Sequence, residues 1–196
     1  IEYIIQAITS FVNKPEIKGK KVVISGISKG AELALLIAAN LNNIDGVIAM
    51  APSSVVWQGI YGFDENGDPI SSWSLNGKGI EFIPYAPYDY SKLSNGHSLE
   101  FYTKSLNQEQ FIQKAIIKVE NISGPIYLFS GEEDRQWPAK RMGEMIINRL
   151  QEKGFNYEYK HFSYPDVNHS FSAKRTESQG GTKEANQAAL KDFEKK

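Results

Sequence analysis

Apolar side chains recur along the chain at two spacings, and these spacings predict alternating helices and strands. One face of a helix drawn through residues 2–12 carries the apolar side chains Ile4, Ile5, Ile8, Phe11 and Val12. That spacing is typical of a helix packed on a sheet. Residues 20–25 and 46–50 are instead short runs rich in β-branched or small apolar side chains, which favours buried parallel strands. A helix predicted from residue 28 to about 42 joins them as a β-α-β unit with a right-handed crossover.

The same alternation returns in the second half of the chain. It predicts helices near 109–119, 138–153 and 182–196, and buried strands at 125–130 and 157–162. A chain of 196 residues is long enough for one domain with a substantial core. We therefore expect residues 1–196 to form a single α/β domain, a three-layer sandwich around a mainly parallel sheet of about four strands.

Helical and strand periodicity fails between residues 52 and 107. This stretch is rich in glycine, proline, asparagine and aromatic residues, with a hairpin predicted over residues 73–83 around Asn76-Gly77. Long irregular insertions in compact domains are usually functional or disordered, and the aromatic content argues against disorder. We interpret the insertion as a cap or pocket wall, the alternative being an aromatic subdomain that serves stability only. The acidic run 64–68 resembles part of a calcium loop, but it lacks the downstream glutamate, so a solvated turn is expected.

Composition and charge exclude several classes of function. A net charge of -1 provides no large basic field, so nucleic acid and anionic membranes are not expected partners. Since the chain has no cysteine, disulfides, thiolate metal sites and thiol nucleophiles are excluded. No apolar stretch approaches the roughly 20 residues that span a bilayer, and no signal-peptide pattern is present. We expect a soluble, cytoplasmic protein.

The pentapeptide Gly26-Ile27-Ser28-Lys29-Gly30 stands between the first predicted strand and the helix that follows it. In that setting G-x-S-x-G predicts a nucleophile elbow, in which Ser28 occupies a strained turn and presents its hydroxyl outward. Glycines are expected on both sides because a Cβ there would collide with the neighbouring strand and helix. The backbone N–H of Lys29, at the helix N-terminus, is a candidate oxyanion donor. The simpler interpretation is a Gly-Ser loop that closes a strand.

A serine nucleophile needs a base and a carboxylate that orients it. Of the three histidines, His97 falls in the insertion and His161 in the last strand, where a structural role is favoured. His169 follows the fourth strand in a loop, so it is the candidate base. The acid comes from the run 132–134 after the third strand, with Asp134 favoured and Glu133 the alternative. The order Ser, acid, His, with each residue at the carboxyl end of a strand, is that of α/β-hydrolases.

Several separated blocks are similar to the bacterial acyl-CoA thioesterase and bile acid-CoA:amino acid N-acyltransferase family. They are residues 26–35, 53–57, 72–78, 124–125 and 131–138, together with Tyr164-Pro165 and His169. The resemblance implies an α/β-hydrolase fold and places the acid on the aspartate three residues before a tryptophan, which is Asp134. A serine nucleophile resembles the hydrolytic branch of the family. We expect Trp57, Trp73 and Trp137 to line the substrate pocket, and we expect no cofactor and no metal.

Two departures from the family concern the amino-terminal end. Only one strand is predicted before Ser28, whereas this fold places its nucleophile after the fifth, so about half of the fold is expected to be missing. That half would carry the loop with the second oxyanion N–H, and the family's amino-terminal β-sandwich is also absent. We therefore expect a truncated chain whose first strand has an unpaired edge.

The sequence thus favours a serine hydrolase of acyl thioesters or esters with a Ser28-His169-Asp134 triad. A carboxylesterase or serine peptidase of the same fold is the first alternative, because the fold does not fix the substrate. The second is a non-catalytic module whose aromatic insertion binds an apolar ligand. Acyl chain length, acceptor and oligomeric state are not encoded in these patterns.

Overall fold

Helices and strands alternate along the chain in the computed structural model, which describes residues 1–93 and 98–196. The helices are α1 (Glu2–Val12), α2 (Lys29–Ala38), α3 (Leu99–Leu106), α4 (Glu109–Ala115), α5 (Ala139–Glu152), α6 (Thr176–Gln179) and α7 (Lys183–Phe193). The strands are β1 (Val23–Ile27), β2 (Gly46–Met50), β3 (Gln58–Phe63), β4 (Pro69–Ser71), β5 (Ser74–Leu75), β6 (Lys78–Gly79), β7 (Ile126–Gly131) and β8 (Tyr159–Tyr164). The structural role predicted for His97 lies outside the described residues.

Four strands form the parallel sheet that the sequence predicts, in the order β1-β2-β7-β8. Helix α2 packs against β1 and β2, and α5 packs against β7 and β8. The largest apolar cluster lies between these two helices and the sheet, and it includes Leu35, Val47, Leu128 and Ile146. The parallel arrangement brings the carboxyl ends of all four strands to one edge of the sheet. Loops that leave β1, β7 and β8 therefore meet at that edge.

The opposite face of the sheet is covered by α7. Phe193 of this helix contacts Phe129 of β7 edge to face at 4.7 Å, and Phe129 stacks on Phe162 of β8 at 5.0 Å. The last helix, α7, is therefore a structural layer.

Helix α1 buries less apolar surface than its pattern suggests, because Phe11 is 47% exposed while Ile5 and Ile8 pack on the core.

Strand β1 is an edge strand. Within the described ranges it pairs with β2 alone, which leaves one row of backbone groups unpaired. Val23 and Ile27 on its outer face are 52% and 40% exposed. Within the described residues the strand has the unpaired edge that was expected, and it begins three residues and ends two residues later than the predicted strand.

The insertion contains more regular structure than its sequence pattern predicts. Strands β3 and β4 form one antiparallel hairpin, and β5 and β6 form the second around Asn76-Gly77. Both turn residues have positive φ, 54° and 74°, which is typical of a type I′ turn. Helix α3 was not predicted, because its apolar residues merge with the aromatic background of the insertion. The 64–68 run is an exposed turn, as expected, in which Asp64 accepts hydrogen bonds from the amides of Asn66 and Asp68.

Among residues 1–93 and 98–196, no helix combines the length and apolar character needed to cross a bilayer.

His161 of β8 packs between the sheet and α5. His161 Nε2 lies 2.7 Å from the Ser130 hydroxyl, and a Cβ on Gly143 of α5 would come within 2.5 Å of the ring. Burial, aided by the positive charge of Lys140, lowers the pKa of His161 to about 4. The ring is therefore neutral near pH 7, which agrees with the structural role predicted for it.

Acid is expected to destabilise the protein through His161. In the unfolded chain this group has a pKa near 6.5, against about 4 in the fold, so the unfolded state binds the additional proton between these values. The stabilising contribution is complete above pH 6.5 and is lost as the pH falls toward 4. Because the ring is partly exposed, we expect a loss of about 2 kcal/mol in the free energy of unfolding.

Urea unfolding of the wild type and of His161→Gln between pH 4 and 7.5 measures this effect. The variant should have a flatter dependence on pH than the wild type. Parallel curves for the two proteins would show that another group is responsible.

Candidate active site

Ser28 occupies a strained turn between β1 and α2. Its φ of 59° and ψ of -125° lie outside the ordinary regions for a residue with a Cβ. The turn is anchored because the Ser28 amide donates to the carbonyl of Met50, 2.9 Å away on the adjacent strand. A non-glycine residue held at positive φ where a strand meets a helix is the geometry expected of a nucleophile elbow.

The two glycines of the pentapeptide differ in their surroundings. A Cβ on Gly26 would lie 2.2 Å from the carbonyl oxygen of Gly30, so the predicted collision is confirmed there. At Gly30 no heavy atom lies within 4 Å of the Cβ position, apart from those of the adjoining residues and of the α2 backbone, so the predicted collision is wrong at this position. Gly30 is the second residue of α2 and is exposed. The turn therefore depends sterically on one glycine only.

Asp134 and His169 meet at the same edge of the sheet. Asp134 Oδ2 lies 2.7 Å from His169 Nδ1, and the two residues are 5% and 4% exposed. Asp134 Oδ1 accepts from the backbone amides of Gln136 and Trp137, at 2.8 and 3.2 Å. These amides fix the carboxylate so that its second oxygen faces the imidazole. The loops after β7 and β8 thus form a carboxylate–imidazole pair.

The alternative acid does not reach the histidine. Glu133 is exposed and contributes only its backbone, whose amide donates to the carbonyl of Val167 at 3.0 Å. Glu132 binds Lys140 and Ser163 at the surface, each at 3.0 Å. Among the acidic residues of this loop, the imidazole partner is Asp134.

The third candidate, Ser28, lies at the same edge without a formed contact to the pair. In the part of the chain that the structure describes, its hydroxyl makes no hydrogen bond to His169. Apo structures often show long nucleophile–base distances that shorten when substrate binds. Lys29 is the first residue of α2, so its N–H has no partner within the helix and lies at the positive end of the helix dipole.

Glu32, which sequence reasoning missed, connects the elbow to the insertion. Its buried carboxylate accepts from Lys29 Nζ at 2.6 Å, from Trp73 Nε1 at 2.8 Å and from the Trp57 amide at 3.2 Å. Burial raises the pKa of Glu32, against the lowering effect of Lys29, and burial lowers the pKa of Lys29. The Lys29 ammonium also lies 5.4 Å from the Trp73 ring centroid. The only sequence signal for this carboxylate is its place on the buried face of α2.

The three tryptophans expected to line a substrate pocket have different surroundings. Trp57 is fully buried and Trp137 is 2% exposed. Trp137 also contributes to the wall of a cavity of about 240 Å³ that Asp134 lines. The substrate-pocket role of the tryptophans stays a prediction. Trp137 packs against the His169 ring with centroids 5.7 Å apart. Trp73 is partly exposed above Lys29.

The insertion contains an apolar cavity of about 390 Å³. Side chains from β3, from α3 and from the segment between them contribute to its walls, among them Ile60, Phe63, Tyr85, Phe101 and Tyr102. Trp57 lies behind this wall, in edge contact with Tyr102 at 5.1 Å. The aromatic residues of the insertion thus form a cavity. Its described lining residues differ from the three tryptophans that the sequence predicted for a pocket.

Across residues 1–93 and 98–196 there is no group of three or more His, Asp or Glu side chains positioned to hold a metal ion.

Comparison with known families agrees with this geometry. Residues 1–173 match the model of the family described as "BAAT / Acyl-CoA thioester hydrolase C terminal". The chain belongs to this family. The resemblance read from the sequence blocks is therefore confirmed.

Curated relatives of this chain include acyl-coenzyme A thioesterases. Acyl-coenzyme A thioesterase 3 of Mus musculus is 26% identical over 170 residues, which cover 86% of this chain and 36% of the relative. Acyl-coenzyme A thioesterase 1 of Homo sapiens is 25% identical over 169 residues, covering 86% and 37%. The chain thus spans about a third of the length of these relatives. Other relatives are named as peroxisomal or mitochondrial, so a cytoplasmic location stays a prediction.

Solved structures support the fold alone. The uncomplexed acylaminoacyl peptidase of Pyrococcus horikoshii superposes with a TM-score of 0.53 at 14% identity, covering 97% of this chain and 26% of that one. Dipeptidyl peptidase 4 of Porphyromonas gingivalis gives 0.51 at 16% identity, covering 87% and 20%. The family member described here is an α/β-hydrolase domain that corresponds to the carboxyl-terminal half of the fold.

Proposed function

We propose that the protein is a serine hydrolase of acyl thioesters that reacts through an acyl-enzyme on Ser28. The observation that carries this proposal is the buried 2.7 Å hydrogen bond between Asp134 and His169, at the sheet edge where Ser28 follows β1. Family membership supports the thioester class, since the relatives are named as acyl-CoA thioesterases. A small-molecule acyl thioester is the proposed substrate.

In this mechanism Ser28 Oγ forms a bond to the thioester carbonyl carbon and passes its proton to His169 Nε2. Asp134 holds Nδ1 protonated and stabilises the imidazolium that results. The oxyanion accepts a hydrogen bond from the Lys29 N–H, at the positive end of α2. When the C–S bond breaks, the thiolate takes the proton from His169.

Deacylation repeats these steps with water as the nucleophile. His169 removes a proton from the water, the oxygen adds to the acyl carbon, and collapse returns the proton to Ser28 as the free acid leaves. Each step needs only side chains and backbone groups of this chain together with water. The proposed reaction class is therefore acyl transfer to water.

Labelling of the full protein with a fluorophosphonate tests the nucleophile. We expect one label per protein, located by peptide mass spectrometry on Ser28, with protection by an acyl-CoA. Heat-denatured protein is the control, because an unfolded serine has no activating base. Labelling of another serine, or the same slow labelling before and after denaturation, would contradict the proposal.

Substrate class is tested by comparing rates on an acyl-CoA, a p-nitrophenyl ester and a peptide under the same conditions. The proposal predicts the highest kcat/KM for the acyl-CoA. A preference for the peptide or the oxygen ester would retain the serine mechanism and replace the substrate class.

A further inference from the structure

The segment that follows residue 173, where the family match ends, contacts both loops of the carboxylate–imidazole pair. It comprises α6, the turn Gly180-Gly181 and the start of α7. The carbonyl of Gln179 accepts a hydrogen bond from the Arg135 amide at 3.2 Å, directly after Asp134. A Cβ on Gly180 would lie 2.0 Å from the Glu133 carbonyl oxygen. The segment is therefore packed tightly against residues 133–135, the loop that carries Asp134, which we call the acid loop.

The same segment makes three contacts with residues 166–170, the loop that carries His169, which we call the histidine loop. The Thr182 amide donates to the Asp166 carbonyl at 2.9 Å, and the Ser170 hydroxyl donates to Gln179 Oε1. Asn186 Oδ1 accepts from the Asn168 amide at 3.1 Å. These contacts fall on both sides of His169.

The side-chain amide of Asn186 forms hydrogen bonds through both its oxygen and its nitrogen. It is fully buried on α7, and its Nδ2 donates to the Thr182 carbonyl at 2.6 Å. Asn168 is also fully buried, and its own Oδ1 accepts from the amides of Ser170 and Ser172. A chain of buried amides thus runs from α7 to the residue before His169.

We propose that Asn186 is a positioning residue. It holds the histidine loop against the acid loop, so that His169 Nδ1 stays within hydrogen-bond distance of Asp134. Without the Asn186 amide, the Asn168 N–H is left buried and unpaired, which a protein avoids by moving the loop. A displacement of the imidazole by a fraction of an ångström weakens its bond to Asp134 and its approach to Ser28. This inference rests on the proposed function for its kinetic effect, and on geometry alone for its structural effect.

The first test compares Asn186→Ala with Gln187→Ala, an exposed neighbour on the same helix. In the full protein, we expect Asn186→Ala to lower kcat toward an acyl-CoA by about 10- to 100-fold with KM little changed, and the control to match the wild type. The low-field proton resonance of His169 Nδ1–H should broaden or vanish in Asn186→Ala only. An unchanged kcat and an unchanged resonance would overturn the proposal.

Two further variants keep the test decisive if Asn186→Ala is unstable. Asn186→Asp retains the oxygen that accepts from Asn168. Burial favours the protonated carboxyl, whose O–H can donate to the Thr182 carbonyl as the amide does, so this variant should retain the resonance. Gln179→Leu removes only the acceptor for Ser170 and should weaken the resonance while α7 stays folded. If Gln179→Leu behaved as the wild type, and Asn186→Ala lost kcat only in proportion to its unfolded fraction while its folded fraction kept the resonance, Asn186 would be a stability residue and the proposal would fail.

Failure of the proposed function gives a different result. A wild type that neither takes the fluorophosphonate nor hydrolyses acyl-CoA would contradict the serine mechanism. The Nδ1–H resonance still reports on the Asp134–His169 contact in that case, so the positioning role of Asn186 is tested independently.

Discussion

Replacing Asp134 with asparagine is expected to lower kcat toward an acyl thioester by about 10³- to 10⁴-fold, with little change in KM. Asp134 Oδ2 accepts from His169 Nδ1, which leaves Nε2 unprotonated and able to accept the proton of Ser28. An asparagine NH2 at that position donates instead, so the imidazole must carry its proton on Nε2. The base then has no free lone pair toward the nucleophile.

The fold is expected to survive this substitution. An asparagine keeps one oxygen, which can accept from the amides of Gln136 and Trp137 as Asp134 Oδ1 does. The free energy of unfolding in urea should fall by about 1 kcal/mol, because neutral hydrogen bonds replace charge-assisted ones, and this small change should accompany the large loss of kcat. The defect would then be chemical rather than structural.

Glu133→Gln is the matched control, since it makes the same change of carboxylate to amide one residue earlier. The Glu133 side chain is exposed, and we expect kcat within about twofold of the wild type because surface substitutions rarely have large effects. If Glu133→Gln caused the large loss and Asp134→Asn did not, the assignment of the acid would be wrong.

Patterns that arise within one element could be predicted from the sequence. The strand 46–50 and the helix 2–12 were found at their observed bounds, and β7 and β8 within two residues of theirs, because buried strands and amphipathic helices have local periodicity. The elbow was found because its chemistry lies in five consecutive residues. Gly30 shows the limit of that method, since a motif does not state which of its glycines is crowded.

Contacts between distant elements could not be predicted from periodicity. Glu32 reads as one polar residue in an apolar helix, and its partners Trp57 and Trp73 are 25 and 41 residues away. Asn186 reads as a polar residue in an ordinary amphipathic helix, 18 residues from the Asn168 amide that it accepts from. A buried polar residue gains its meaning from a partner that only the fold identifies.

Gly26→Ala is expected to destabilise the domain by about 3 kcal/mol or more. The new Cβ would meet the carbonyl oxygen and carbon of Gly30 at 2.2 and 2.4 Å and the Ala31 amide nitrogen at 2.8 Å. These are backbone atoms of the elbow and the first turn of α2, so no side-chain rotation relieves the overlap. The helix start must move away from β1, and Ser28 and the Lys29 N–H must move with it.

Gly30→Ala provides the control within the same five residues. Gly30 lies in the first turn of α2, and no heavy atom outside the adjoining residues and the helix backbone lies within 4 Å of its Cβ position. The substitution should therefore stabilise the protein by about 0.5 to 1 kcal/mol, as alanine does in helices. Urea unfolding and fluorophosphonate labelling should therefore diverge: Gly26→Ala loses both stability and label, whereas Gly30→Ala keeps both. Comparable losses in the two variants would contradict this difference and would mean that the turn needs space on both sides of Ser28, as the motif alone predicts.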